Sequence, residues 1–106
     1  MARCENFKII LVNDTDAEIK VKKFEYEDGS KWKTENMLGL DGHEKIQHGK
    51  RKKFTRNLGG IGNEKTCFRV TYSHHIGGTK WGSNKVETTG MFLAQDNGKK
   101  EVFLTK

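Results

Sequence analysis

The residues best suited to chemistry lie between positions 77 and 90, in the stretch GGTKWGSNKVETTG. A large flat aromatic, Trp81, stands among glycines and is followed at once by Ser83 and Asn84. An indole face stacks on a sugar ring or sits at a lipid interface. An Asn side chain offers a donor and an acceptor, which suits a sugar hydroxyl. The flanking glycines allow close backbone approach. Trp81 is therefore read as a stacking platform, Ser83 and Asn84 as hydroxyl partners, and His74, His75 and Lys80 as the rim. Trp32, in DGSKWK, is a second platform candidate. The competing reading for either tryptophan is a core residue closing one end of the fold.

Other chemistry has less support. GxSxG, HExxH and kinase-type signatures are absent. On a strand His74 and His75 point to opposite faces, so one catalytic or metal site would not easily use both. The carboxylates sit in mixed-charge runs such as EYEDGSKWKTE, not as an isolated pair. LGGIGNEK has a phosphate-loop look but lacks a GK[ST] ending and a following helix. With no DxDxDG loop, the expectation is binding without calcium or any other cofactor. The basic run GKRKKFTR, 49 to 56, could meet phosphates. In a strand, however, its cations alternate between faces, and only Phe54 stands near as a base platform. It reads better as a lysine-rich edge that discourages strand addition, so nucleic acid is not the expected partner, and a nucleic-acid or protein interaction module using the 50–53 cluster is the second alternative.

Short apolar runs bounded by Gly, Asn, Asp or Ser must position these residues. FKIILV (7–12) puts Phe7, Ile9 and Leu11 on one face. EIKVKKF (18–24) turns Ile19 and Val21 inward and its lysines outward. EDGSKW turns at Asp28-Gly29. From the irregular segment 35–54, Met37, Leu38, Leu40 and Ile46 reach back to the core. RKKFTRNL is a strand burying Phe54 and Leu58. CFRVTYSHH (67–75) is the clearest strand, with Phe68, Val70 and Tyr72 on one face. The end reads as a hairpin around Asn97-Gly98, which sets Phe92 against Phe103, Met91 against Leu104 and Leu93 against Val102. Both faces of such a hairpin are apolar, and the face its own core cannot cover predicts a homodimer with Phe92 or Phe103 at or near the contact.

The chain has 106 residues, 33% of them apolar and 32% charged, and no proline. That is one domain with a thin core. The fold class expected is all-β: a single antiparallel β-sandwich, jelly-roll-like, with essentially no helix. Twenty Lys and Arg against 14 Asp and Glu give +6, which favours anionic partners, although dispersed charge also serves solubility. Cys4 and Cys67 form one disulfide or remain two buried thiols; the second is favoured. MARCENFKII has no apolar run of a signal peptide. The expectation is synthesis in the cytosol, with any cell-surface or extracellular action by non-classical export. Asn13-Asp14-Thr15 is a glycosylation sequon that matters only in the secretory pathway.

The order FKIILVNDTDAEIKV, DGSKW, EKIQHGKRKKF, GGIGNEKTCFRVTY, GTKWGSNKV resembles a loose class of small all-β proteins: aegerolysin-type and actinoporin-like proteins and small hemagglutinins. An Asn-x-Thr after the first strand, a Gly-x-Trp-like turn, a central Gly-rich segment and a late W…GSN stretch recur among them. The aromatic-rich final region of typical aegerolysins is mostly missing, which argues against lysis. The resemblance implies a β-sandwich that binds glycoconjugates or lipids. Cell-surface glycans or glycoproteins are the expected partners, with lipid headgroups as the alternative.

Overall fold

The computed structural model describes residues 3–29, 31–35 and 44–106. Among these residues there is no helix, and eleven strand segments account for the regular structure. They are β1 (Arg3–Asp14), β2 (Ile19–Asp28), β3 (Lys31–Thr34), β4 (Glu44–Ile46), β5 (Arg51–Gly59), β6 (Lys65–Thr66), β7 (Phe68–Gly77), β8 (Lys80–Trp81), β9 (Lys85–Thr88), β10 (Phe92–Leu93) and β11 (Lys99–Thr105). A three-stranded sheet runs β11-β1-β5. A six-stranded sheet is centred on β2 and β7, with β3 and β4 on β2 and β8 and β9 on β7. β6 and β10 form a small third pair.

Alternation explains which residues these strands bury. Ile9 and Leu11 of β1, Ile19 and Val21 of β2, Val70 and Tyr72 of β7, and Val102 and Leu104 of β11 all belong to one core. Two bulges adjust the phase. In β1 the register shifts between Cys4 and Phe7, with Asn6 at φ 53°, so both Cys4 and Phe7 face inward. In β2 it shifts between Val21 and Lys23, so the plain alternation expected for 18–24 breaks and Phe24 and Tyr26 become the inward pair. Phe68 is the hub of the core aromatics. Its ring centroid lies 4.8 Å from Phe24, 4.8 Å from Phe92 and 5.9 Å from Phe7. Cys4 and Cys67 are free and buried, and burial pushes both thiols up.

The C-terminal hairpin is not formed. β10 pairs with β6, and β11 lies parallel to β1, so the fold is not antiparallel throughout. Asn97-Gly98 does turn the chain: Gly98 N–H donates to Gln95 O at 2.9 Å. Its other bonds go to β1, with Asn97 N–H on Glu5 O and Lys8 N–H on Gly98 O. A Cβ on Gly98 would stand 3.1 Å from the Phe7 ring and 2.9 Å from Gln95 O, so glycine is needed for this close approach. Phe92 is drawn to the Phe7–Phe68 cluster and does not face Phe103. Only Phe103 of that pair, 50% exposed on the outer face of the three-stranded sheet, is left for a subunit contact.

The remaining expectations have definite outcomes. β2 and β3 turn at Asp28-Gly29, with Gly29 at φ 67°. Ile46 is buried; Met37, Leu38 and Leu40 lie outside the described residues. β5 is an edge strand carrying the basic run, and Leu58 is its buried anchor. The sequon is a structural device. Asn13 Nδ2 donates to Ala17 O and Ile46 O, and Asn13 Oδ1 accepts from Thr15 N–H and Oγ1. It pins the β1–β2 turn to β4.

Candidate functional site

The site is built on the outer face of the six-stranded sheet. Inward Ile19 and Val21 leave Lys20 outward on β2; inward Tyr72 leaves Ser73 and His75 on the other face of β7, where Ser73 is fully covered and His75 is half-buried. β7 turns back at Gly77-Gly78, with Gly78 at φ 55°, and β8 sets Trp81 opposite His75. Gly82 N–H donates to His74 O at 2.7 Å and holds the return.

Trp81 is half-buried and outside the core cluster. The Lys20 ammonium lies 4.3 Å from its ring centroid and the Lys45 ammonium 5.8 Å from it. The His75 ring is 4.9 Å away, tilted 50°. His75 itself is held at Gly78 O through Nε2, 2.8 Å. Lys22, at the β2 bulge, donates to Asn84 Oδ1 at 2.8 Å and ties the loop after β8 to the sheet. That leaves the Asn84 amide NH2 for a ligand. Ser83, Asn84 and Lys80 are exposed.

Trp32 shares the outer face but not the site. It stands opposite Glu27, seven residues along β2 from Lys20 and so roughly 20 Å away at about 3.3 Å per residue. The Arg69 guanidinium lies 4.0 Å from its ring centroid. Arg69 in turn makes two bonds to Glu25, 2.9 Å and 2.7 Å, with Lys23 at 3.6 Å. These bonds, from Arg69 above all, hold the Glu25 carboxyl below its ordinary value against the opposing effect of burial. Here the indole covers an ion pair.

His74 lies on the other side of β7 from His75. Its Nε2 is shut off from solvent with no hydrogen-bond partner. It faces an open cleft of about 340 Å³ at the end of the molecule, lined by Asp16, Ala17, His74, His75, Ile76, Lys85 and Lys106. Lys106 Nζ meets Asp16 Oδ2 at 2.8 Å, and this bond pulls the Asp16 carboxyl down and the Lys106 ammonium up. Both histidines line this one cleft although adjacent strand residues diverge.

Sequence reasoning named Trp81, His75, Lys80, Ser83 and Asn84, which the β7–β8 return brings together. It missed Lys20, Lys22 and Lys45 around the indole. The alternation of β2 points Lys20 outward, but nothing in the sequence places β4 beside it. It also missed Asp16, Lys85 and Lys106, which come from three distant parts of the chain. Among the described residues no group of three or more side chains is arranged to hold a metal ion. The Gly-rich loop offers no phosphate cradle at Gly60, since the Asp28 carboxylate packs against the position a Cβ would take there. No protein-family model, curated protein or solved structure matches the chain.

Proposed function

We propose that the protein is a non-enzymatic carbohydrate-binding protein of the lectin or hemagglutinin type, recognising cell-surface glycoconjugates. The observation that carries this reading is the setting of Trp81: an indole outside the core and not fully covered, held on the sheet opposite His75, with Ser83, Asn84 and Lys80 exposed beside it. The Lys20 contact does not oppose it. A cation–π contact at such a site is worth roughly 0.5–1 kcal/mol, so the lysine head swings aside at small cost and donates to a sugar hydroxyl. We read the two larger sheets, which share one core, as the layers of a jelly-roll-like β-sandwich that keeps this face stiff. Binding needs no calcium. Cross-linking needs two sites, and a homodimer through the outward face bearing Phe103 supplies them.

A lipid-surface reading has its own support. Ile76 on β7 and Val86 on β9 are 68% and 57% exposed, and Lys85 precedes Val86. A glycan array run with and without chelator, beside liposome flotation, separates the two. Array signal that survives chelation and needs Trp81 supports the lectin; flotation with a blank array transfers the site to lipid.

A further inference from the structure

The end cleft has the size and chemistry of a pocket for one sugar ring. Its volume of about 340 Å³ is that of a small-ligand site. Ile76 gives it an apolar wall, and Asp16 gives it a carboxylate able to accept from hydroxyls. His74 lines the cleft too, although its Nε2 is closed off from solvent. The charge is unbalanced in one direction. Asp16 is matched by Lys106, which leaves the Lys85 ammonium as the uncompensated charge on the wall. A group that completes this set carries one negative charge beside several hydroxyls. His75 lines the cleft and also packs on Trp81, so the cleft is contiguous with the indole surface.

We infer that the cleft is the subsite for an acidic sugar residue at the end of a glycan lying across Trp81, with the sugar carboxylate on Lys85 and a hydroxyl donating to the Asp16 carboxylate. This rests on the glycan-binding reading and adds the ligand's chemical class. A neutral sugar would leave Lys85 unpaired, and a simple carboxylate would leave Asp16 unused.

The test is an amide-shift titration of the whole protein by NMR with sodium glucuronate, glucose and acetate. The expected result is that glucuronate shifts the amides of Ala17, His75, Ile76 and Lys85. Its affinity should be about tenfold above that of glucose, the scale of one charge-assisted hydrogen bond. Acetate should bind more weakly than glucuronate. Lys85→Gln should bring glucuronate down to the level of glucose while leaving glucose unchanged, and Lys85→Arg should restore the preference. Acetate matching glucuronate would overturn the sugar assignment. Shifts confined to the Trp81 loop would overturn the cleft and leave glycan binding at Trp81 standing. Cleft shifts with glucuronate beside a blank glycan array would keep the acidic-sugar pocket and sink the lectin.

Discussion

Replacing Trp81 by alanine separates a ligand platform from a packing residue, because the structure sets how much stability the indole carries. It has three neighbours to lose. The Lys20 cation–π contact at 4.3 Å is worth roughly 0.5–1 kcal/mol, and Lys45 at 5.8 Å adds little. The tilted His75 contact at 4.9 Å contributes roughly 0.5–1.5 kcal/mol. These contacts sum to about 1–2.5 kcal/mol, and the apolar area the indole covers adds roughly 1–2 kcal/mol. A core aromatic such as Phe68, hub of the ring cluster, would cost about 3–5 kcal/mol on the same change. Trp81→Ala should stay folded and melt roughly 10–25 °C lower. Glycan affinity should fall by about 1–3 kcal/mol, or roughly 5- to 150-fold. Calorimetric melting and array binding read the two quantities separately. Unchanged affinity in a folded variant would refute the platform. Loss of folding would show that the indole carries far more than its three contacts and the area it covers.

Asn13→Ala should cost about 2–4 kcal/mol in chemical denaturation, since a buried amide with four hydrogen bonds is removed at about 1 kcal/mol each; mass spectrometry of protein from a secreting host should find no glycan on Asn13. The Glu25 carboxyl is held below its ordinary 4.5, so its contribution to stability is full above that pH and is lost as pH falls through the lower folded value. Glu25→Gln should be less stable at pH 7 yet lose less of its stability below about 4.5, and parallel acid limbs for the two proteins would contradict this. Sedimentation of the wild type at high micromolar concentration should show a dimer that Phe103→Lys dissociates. Burying the exposed half of Phe103 contributes only roughly 1 kcal/mol per subunit, so the dimer is expected to be weak, and a monomer at that concentration removes it.

Local alternation made much of this fold legible. The faces of β1, β5 and β7 follow from period two, and the core residues Phe7, Ile9, Phe68, Val70 and Tyr72 sit where it puts them. The failures come from long-range choices that a short window does not contain. Asn97-Gly98 is a strong hairpin signal, and it does turn. Whether the strands on either side then pair with each other depends on competitors: β6 takes β10, and the free edge of β1 takes β11. The bulge in β2 is hidden for a similar reason. Lys22 and Lys23 look alike in sequence, and only the demand that Phe24 and Tyr26 join the core shows that one of them is extra.

The candidate site was legible as a loop but not as an electrostatic object. Its aromatic and polar residues are contiguous in sequence, whereas the cations around Trp81 come from β2 and β4 and those of the cleft from β9 and the chain end. This distribution changes what +6 means. Arg69 is committed to Glu25 and to Trp32, Lys106 to Asp16, and Arg51 to Glu101. A charge tied up in this way adds little attraction for a distant anion, since each pair is screened as a near-neutral unit. Four further cations stand where the β7–β8 return meets the cleft: Lys20 and Lys45 over the indole, Lys80 on the rim and Lys85 on the wall. On the acidic-sugar proposal, anion selectivity is a local property of that corner. It should survive neutralisation of the β5 lysines and disappear with Lys85.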